Sequence, residues 1–275
     1  AQTMAADKYP AFLREVDPSS FLKTSPWSSL PASANKFDRG HVLIIGGSDG
    51  KTGAPILAGL AALKCGAGWS TVAIPPVFHR AQNKEFPLEL TFEDLFDKGS
   101  DNLDLEKIEN FLFERKVKSL LIGPGWTDNL LDEKSFKVLV KFMENGGKVI
   151  LDAGALQGIL QLLEKVSSDK NLYLTPYPGE WRKMGMLPDP DKKESIQSLL
   201  KFANVRKLNF TYKSATPFFF CAGQDAAYMM TEGSNILSKA GSGDIFAGLL
   251  AAHCAISNDA LLNFSRSYHI LCEAS

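Results

Sequence analysis

Apolar residues in this chain arrive in short unbroken runs, with longer polar stretches of helical period between them. The runs His41–Ile45, Trp69–Ile74, Val117–Ile122, Lys148–Leu151 and Asn171–Leu174 are too short for helices. They place Val, Ile and Leu on successive positions, the pattern of strands buried on both faces. Gly53–Lys64, Leu105–Glu114, Leu131–Asn145, Ala155–Lys165 and Ser195–Lys207 read as helices. This alternation predicts an α/β fold with a mostly parallel sheet covered by helices on both faces. Three further runs, Leu208–Lys213, Pro217–Ala222 and Ala227–Thr231, follow at close spacing with a turn near Gly223, and predict an antiparallel edge. Two closing helices are expected, one opening in Ala240-Gly-Ser-Gly243 and one over Asp259–Cys272.

Residues 1–35 break this pattern. Pro10, Pro18, Pro26 and Pro31 interrupt any regular element, so an arm is expected, with Phe12, Phe21 and Trp27 either packed on the body or reserved for a subunit contact. No repeat or linker divides residues 36–275, which are read as one domain. The 275 residues, 45% hydrophobic and 22% charged, suffice for a full core. With 30 Lys plus Arg against 31 Asp plus Glu, the net charge of −1 provides no field for nucleic acid or an anionic membrane. Any anion must be held locally. Cys65, Cys221, Cys254 and Cys272 are widely spaced and mostly in apolar runs, which suits buried thiols and a reducing compartment. No apolar run approaches the ~20 residues that span a bilayer and no apolar signal core opens the chain, so a cytoplasmic protein is expected. His41, His79, His253 and His269 lack ligand spacing; no protein-held transition metal is assigned, and His253 reads as a core residue.

The chemistry collects at strand ends. His41–Ile45 runs into Gly46-Gly-Ser-Asp-Gly50, Val117–Ile122 into Gly123-Pro-Gly125, Lys148–Leu151 into Asp152-Ala-Gly-Ala-Leu156, and Asn171–Leu174 into Thr175-Pro-Tyr-Pro-Gly-Glu180. In a parallel sheet these ends meet at one edge, where ligands bind. Gly50-Lys51-Thr52 resembles the end of a phosphate-binding P-loop, but its first glycine would have to stand at Ile45, so that motif is rejected. The helix opening at Gly241, Ser242 and Gly243 exposes backbone amides suited to an anion, and Asp244 stands in its first turn. That carboxylate either caps the helix or takes a proton from a group attacking phosphorus.

Taken in order, Gly40-His-Val-Leu-Ile-Ile-Gly-Gly-Ser48, Gly53-Ala-Pro-Ile-Leu-Ala58, Gly66-Ala-Gly68, Ile122-Gly-Pro-Gly125, Leu151-Asp-Ala153, Leu174-Thr-Pro-Tyr-Pro-Gly-Glu180 and Ala240-Gly-Ser-Gly-Asp244 resemble the ADP- or ATP-dependent NAD(P)H-hydrate dehydratases. The resemblance covers nearly everything from Lys36 onward. It implies a ribokinase-like three-layer sandwich and a repair reaction, in which hydrated NADH or NADPH is phosphorylated on its C6 hydroxyl by ADP or ATP and then loses phosphate. It further implies Asp244 as catalytic base and the amides of Gly241, Ser242 and Gly243 as stabilisers of the transferring phosphoryl group. Ala54, Gly125 and Tyr177 would meet the hydrated coenzyme; Lys213, Ser214, Ala215 and Thr216, with Gly243, would take the nucleotide. Glu180 would hold Mg2+ through water, or else serve only as a first-turn acid; Lys213 reads equally as a strand-end charge. A homo-oligomer, a tetramer by resemblance, is implied as well.

The chain departs from the family pattern in placing Tyr177 where His or Asn is usual, Ser214 for Gly, Gly154 for Asp, Gln157 for Asn and Lys239 for Thr. Tyr177 cannot carry a proton at neutral pH as His can, and Lys239 brings a new cation toward the anion site. Two other functions compete with the dehydratase: a ribokinase-like kinase that phosphorylates a small alcohol and stops, and a nucleotide-binding relative that has lost turnover.

Overall fold

The computed structural model describes residues 9–18, 30–79, 87–165, 170–184, 193–214, 216–232 and 239–274. Its strands are β1 (Leu13–Glu15), β2 (His41–Ile45), β3 (Trp69–Ala73), β4 (Thr91–Phe92), β5 (Ser119–Ile122), β6 (Lys148–Leu151), β7 (Leu172–Leu174), β8 (Asn209–Tyr212), β9 (Phe218–Phe220) and β10 (Ala227–Met229). The helices are α1 (Gly53–Cys65), α2 (Pro76–His79), α3 (Leu105–Glu114), α4 (Glu133–Glu144), α5 (Ile159–Leu163), α6 (Pro178–Lys183), α7 (Lys193–Arg206), α8 (Ser242–Cys254) and α9 (Ala260–Glu273). The strands form one sheet in the order β1-β10-β9-β8-β7-β6-β5-β2-β3-β4. Every neighbouring pair is parallel except β8 with β9 and β9 with β10. The predicted antiparallel edge therefore reduces to one reversed strand, β9.

The apolar runs bury both faces of the sheet, as their composition requires. Leu43, Ile45, Leu120, Ile122, Val149 and Leu151 pack with α3, α4, α5, α6 and α7 through Leu112, Phe136, Ile159, Trp181 and Leu199. The alternate residues Val42, Ile44, Leu121 and Ile150 pack with α1, α8 and α9 through Ala58, Leu250 and Phe264. At about 1.5–3 kcal/mol for each fully buried large apolar side chain, these two interfaces hold the three layers together. On the second face the helices are lined with small residues so that they come close. An ideal Cβ built on Gly248 of α8 would lie 2.1 Å from the carbonyl oxygen of Ala58 in α1, an approach only glycine permits.

Two expectations are corrected. The N-terminal arm contains a strand after all: β1 pairs in parallel with β10, Leu13 opposite Ala227, and Phe12 and Leu13 pack on the core. Pro10 precedes it and Pro18 follows it, so the prolines bound the strand instead of abolishing it. Phe21 and Trp27 lie outside the described residues. Secondly, the stretch expected as one helix over Ala155–Lys165 begins as a 3-10 turn, Ala153–Gly158, and becomes α-helical only at Ile159–Leu163. Ala153 enters this segment in the left-handed region at φ 49°, outside α-helical geometry. The short elements β4 and α2 leave no periodic signal in the sequence.

Among the described residues no helix is long and apolar enough to cross a membrane, and the four cysteines are free thiols. His253 is a packed core side chain, 1% exposed and hydrogen-bonded through Nδ1 to Ser267 Oγ at 2.8 Å; burial pushes it down to about 4.

Candidate active site

The carboxyl ends of β2, β5, β6, β7 and β8 converge with the amino ends of α1 and α8, and glycines set how closely their loops interlock. The Gly47 N–H donates to the Pro124 carbonyl at 2.8 Å and Ser48 Oγ donates to the Gly125 carbonyl at 2.6 Å. A Cβ on Gly46 would stand 2.3 Å from the Pro124 oxygen. Gly125, at φ 81°, leaves 3.2 Å between its would-be Cβ and that of Ala54. The loop after β2 and the loop after β5 thereby form one wall, with Ala54 and Gly125 side by side.

That wall bounds a cavity of about 550 Å³. Of the residues singled out from the sequence, Ala54, Gly125, Tyr177, Glu180, Gly241 and Asp244 line it, as do the departures Gly154 and Gln157. Lys213, Ser214, Thr216, Ser242 and Gly243 are not among its lining residues, and Ala215 lies outside the described residues. Ser214 Oγ is turned to its own segment, donating to the Thr216 carbonyl. Lys213 nevertheless reaches the start of α8: its Nζ lies 3.6 Å from where a Gly243 Cβ would be. Ser242 Oγ donates to the Lys239 carbonyl at 3.0 Å and so closes the turn that opens this helix.

The left-handed Gly241, at φ 92°, is the residue from which α8 starts, and the first-turn amides of the helix have no intrahelical acceptor. Gly241, as the N-cap, has no side chain to offer them. Asp244 sits in this first turn but faces the cavity, so capping does not account for it. Burial first, and the charge of Asp152 second, raise its carboxyl to about 6, against a smaller lowering by Lys213. Glu180 shifts the same way, mainly through burial, with Lys213 opposing. Its Oε2 accepts the Tyr177 N–H at 3.0 Å, reaching back over the first turn of α6. Burial acts to lower Lys213, but Asp152, Glu180 and Asp244 outweigh it and hold the ammonium above its usual value.

Tyr177 is 46% exposed, and its ring lies over Gly179, where a Cβ would come within 2.6 Å of Cε2. A flat aromatic surface therefore lines the cavity. Among the described residues no group of three His, Cys, Asp or Glu side chains is spaced to hold a metal alone. Glu180 presents a hard oxygen donor at the cavity wall, of the kind that suits a hard cation such as Mg2+.

Sequence reasoning overlooked Asp152 as a site residue. It is 3% exposed, accepts Lys213 Nζ at 2.8 Å and Thr175 Oγ1 at 2.7 Å, and carries the pair that joins β6 to β8. Its position directly after a strand was the available signal. Lys51, in the turn weighed and rejected as a P-loop, lines the cavity too, as do Trp126 and Lys183, which had no distinguishing pattern.

Residues 42–274 match the family described as NAD(P)H-hydrate dehydratase. A bifunctional NAD(P)H-hydrate repair enzyme of Dictyoglomus turgidum is 32% identical over 236 residues, covering 80% of this chain but 43% of the relative. An ADP-dependent (S)-NAD(P)H-hydrate dehydratase of Streptococcus pneumoniae is 30% identical over 219 residues, covering 80% of this chain and 72% of the relative. The chain thus spans under half the length of the bifunctional relative and most of the shorter one. In three dimensions it resembles a ribokinase-like superfamily protein of Enterococcus faecalis, with a TM-score of 0.74 at 20% identity over 96% of this chain and 88% of that one. An ADP/ATP-dependent NAD(P)H-hydrate dehydratase of Bacillus subtilis, co-crystallised with ATP and Mg2+, gives a TM-score of 0.67 at 22% identity over 88% of this chain and 82% of that one. The fold is ribokinase-like, and because the matching span carries both the interlocked glycine wall and the Asp244 turn, the chain belongs to the NAD(P)H-hydrate dehydratase family.

Proposed function

We propose that this protein repairs hydrated NADH and NADPH, using ADP or ATP to phosphorylate the C6 hydroxyl and then releasing phosphate to restore the dihydronicotinamide. The observation that carries the reading is Asp244: a cavity-facing carboxyl raised to about 6, in the first turn of a helix that opens at the left-handed Gly241. Such a group is largely ionised at neutral pH yet basic enough to take the hydroxyl proton as oxygen attacks phosphorus. The bond to phosphorus forms at the C6 oxygen and breaks at the bridging oxygen of the nucleotide, which leaves as AMP or ADP. Loss of phosphate from C6 and of a proton from C5 then restores the ring double bond.

The remaining roles follow from position. Amides of Gly241, Ser242 and Gly243 face the developing charge on phosphorus, with the Lys213 ammonium beside them. Ala54 and Gly125 give a flat, close wall for the hydrated ring, and Tyr177 a stacking surface. Ser214, Ala215 and Thr216 belong to this reading as the nucleotide segment after β8. Mg2+, when bound, would be held through water by Glu180 and would neutralise phosphate charge. We read the setting as cytoplasmic, which the four free thiols support, and the assembly as a homo-oligomer.

The test is incubation with hydrated NADH or NADPH, Mg2+ and either ADP or ATP, following recovery of dihydronicotinamide absorbance. Asp244→Asn should keep nucleotide binding and lose about 10²–10⁴-fold in kcat. Recovery that fails with both nucleotides sinks the reading; a phosphorylated product that accumulates without elimination favours a kinase of the same fold.

A further inference from the structure

Three carboxylates, Asp152, Glu180 and Asp244, act on one ammonium, that of Lys213. The ammonium is bonded to Asp152, at 2.8 Å. Two features select that partner. Asp152 is 3% exposed, so leaving it ionised and unpaired would cost more than leaving either cavity-lining acid so. In addition, Thr175 Oγ1 donates to the same oxygen, Oδ1, at 2.7 Å, so that this oxygen accepts from both sides.

Both ends of the pair are held by backbone. The Lys213 N–H donates to the Pro176 carbonyl at 2.9 Å, and the Asp152 N–H to the Ile122 carbonyl at 3.0 Å. Gly123 is pressed against Asp152 so tightly that a Cβ there would lie 2.0 Å from the Asp152 carbonyl oxygen. The Lys213 Nζ is left 3.6 Å from the position of a Gly243 Cβ, at the start of α8 and next in sequence to Asp244.

We infer that Asp152 is a positioning residue that fixes the Lys213 ammonium against the first turn of α8 and keeps it from pairing with Asp244. The inference rests on the proposed phosphoryl transfer. An ammonium in that place meets charge growing on phosphorus, whereas one closed on Asp244 would tie up the base in an ion pair. Asp152 touches no reacting atom in this scheme and acts only through Lys213.

The expected signature of Asp152→Asn is a kcat lowered about 30-fold with KM for nucleotide and hydrate changed by less than about threefold, the pattern of an interaction made in the transition state. Lys213→Met should lower kcat at least as much, and the double variant should lose no more than Lys213→Met alone. Losses that multiply, or a raised KM with kcat unchanged, overturn the inference. A second readout needs no substrate: the 15N signal of the Lys213 ammonium in the ligand-free protein should shift in Asp152→Asn as the ammonium turns toward Asp244, and an unchanged signal also overturns it. A wild type that leaves the hydrate unrepaired while showing this signal change refutes the repair reading alone. Should Asp152→Asn fail to fold, Thr175→Val removes only the hydroxyl anchoring the same oxygen; kcat should fall about threefold to tenfold, and an unaltered kcat refutes the role.

Discussion

Replacing Gly248 by Ala tests how far the spacing of two helices controls the site. Gly248 is in the buried stripe of α8, and its added Cβ would meet the Ala58 carbonyl oxygen at 2.1 Å and its carbon at 2.8 Å. Ordinary contact begins near 3.4 Å, so α8 and α1 must separate by about 1.3 Å (3.4 minus 2.1), since a backbone carbonyl cannot swing away as a flexible side chain can. Overpacking of this kind costs about 1–3 kcal/mol, and alanine returns about 1 kcal/mol of helix propensity. A net loss of up to about 2 kcal/mol lowers Tm by up to roughly 8 °C for a chain of this size. The catalytic effect should be larger in proportion. Asp244 rides on α8 and Ala54 on α1, so a shift near 1 Å moves the base relative to the ring it serves, at a cost of about 10²-fold in kcat. Thermal unfolding and hydrate repair, measured on the same preparation, check both. Wild-type Tm together with wild-type kcat would show that the helices do not set the geometry.

Repair should depend on pH through Asp244. Its carboxyl is raised to about 6, chiefly by burial, so kcat should climb as pH rises through about 6 and level off above 7; an acid limb near 4 would mean that another group is the base. The same raised value has a stability consequence. The folded state holds this proton more tightly than the unfolded state, so ionised Asp244 costs stability above about pH 6 and nothing below pH 4. Asp244→Asn should therefore raise Tm at pH 8 and leave it nearly unchanged at pH 4, and a lowered Tm at pH 8 would count against the burial account. At the opposite wall, a Cβ on Gly154 would stand 2.6 Å from the Asp128 carbonyl and 2.8 Å from Trp126 Cβ. Gly154→Ala should push the segment after Gly125 outward, destabilise by about 1–3 kcal/mol and raise the KM for hydrate more than it lowers kcat, as steady-state kinetics would show.

Much of this was legible because it is local. Buried parallel strands need unbroken apolar runs, so β2, β3, β5, β6 and β7 appear in the sequence within a residue or two of their observed bounds, and the glycine turns after them mark the edge where the cavity lies. Asp244 was only half legible, because an acid in the first turn of a glycine-started helix reads equally as a cap, and it is the cavity it lines that sets it apart. What escaped depends on partners far apart in the chain. β1 is three residues whose strand identity comes from β10, more than 200 positions away, and its flanking prolines read as breakers until that partner is in place. Asp152 escaped in the same way: its lysine is 61 residues distant and its threonine 23. No local pattern ranks Asp152, Glu180 and Asp244 as rivals for Lys213. Burial ranks them, and burial is decided only when the sheet closes. An acid near such an edge is therefore best weighed by how dry its position becomes, since the driest of the three claims the ammonium.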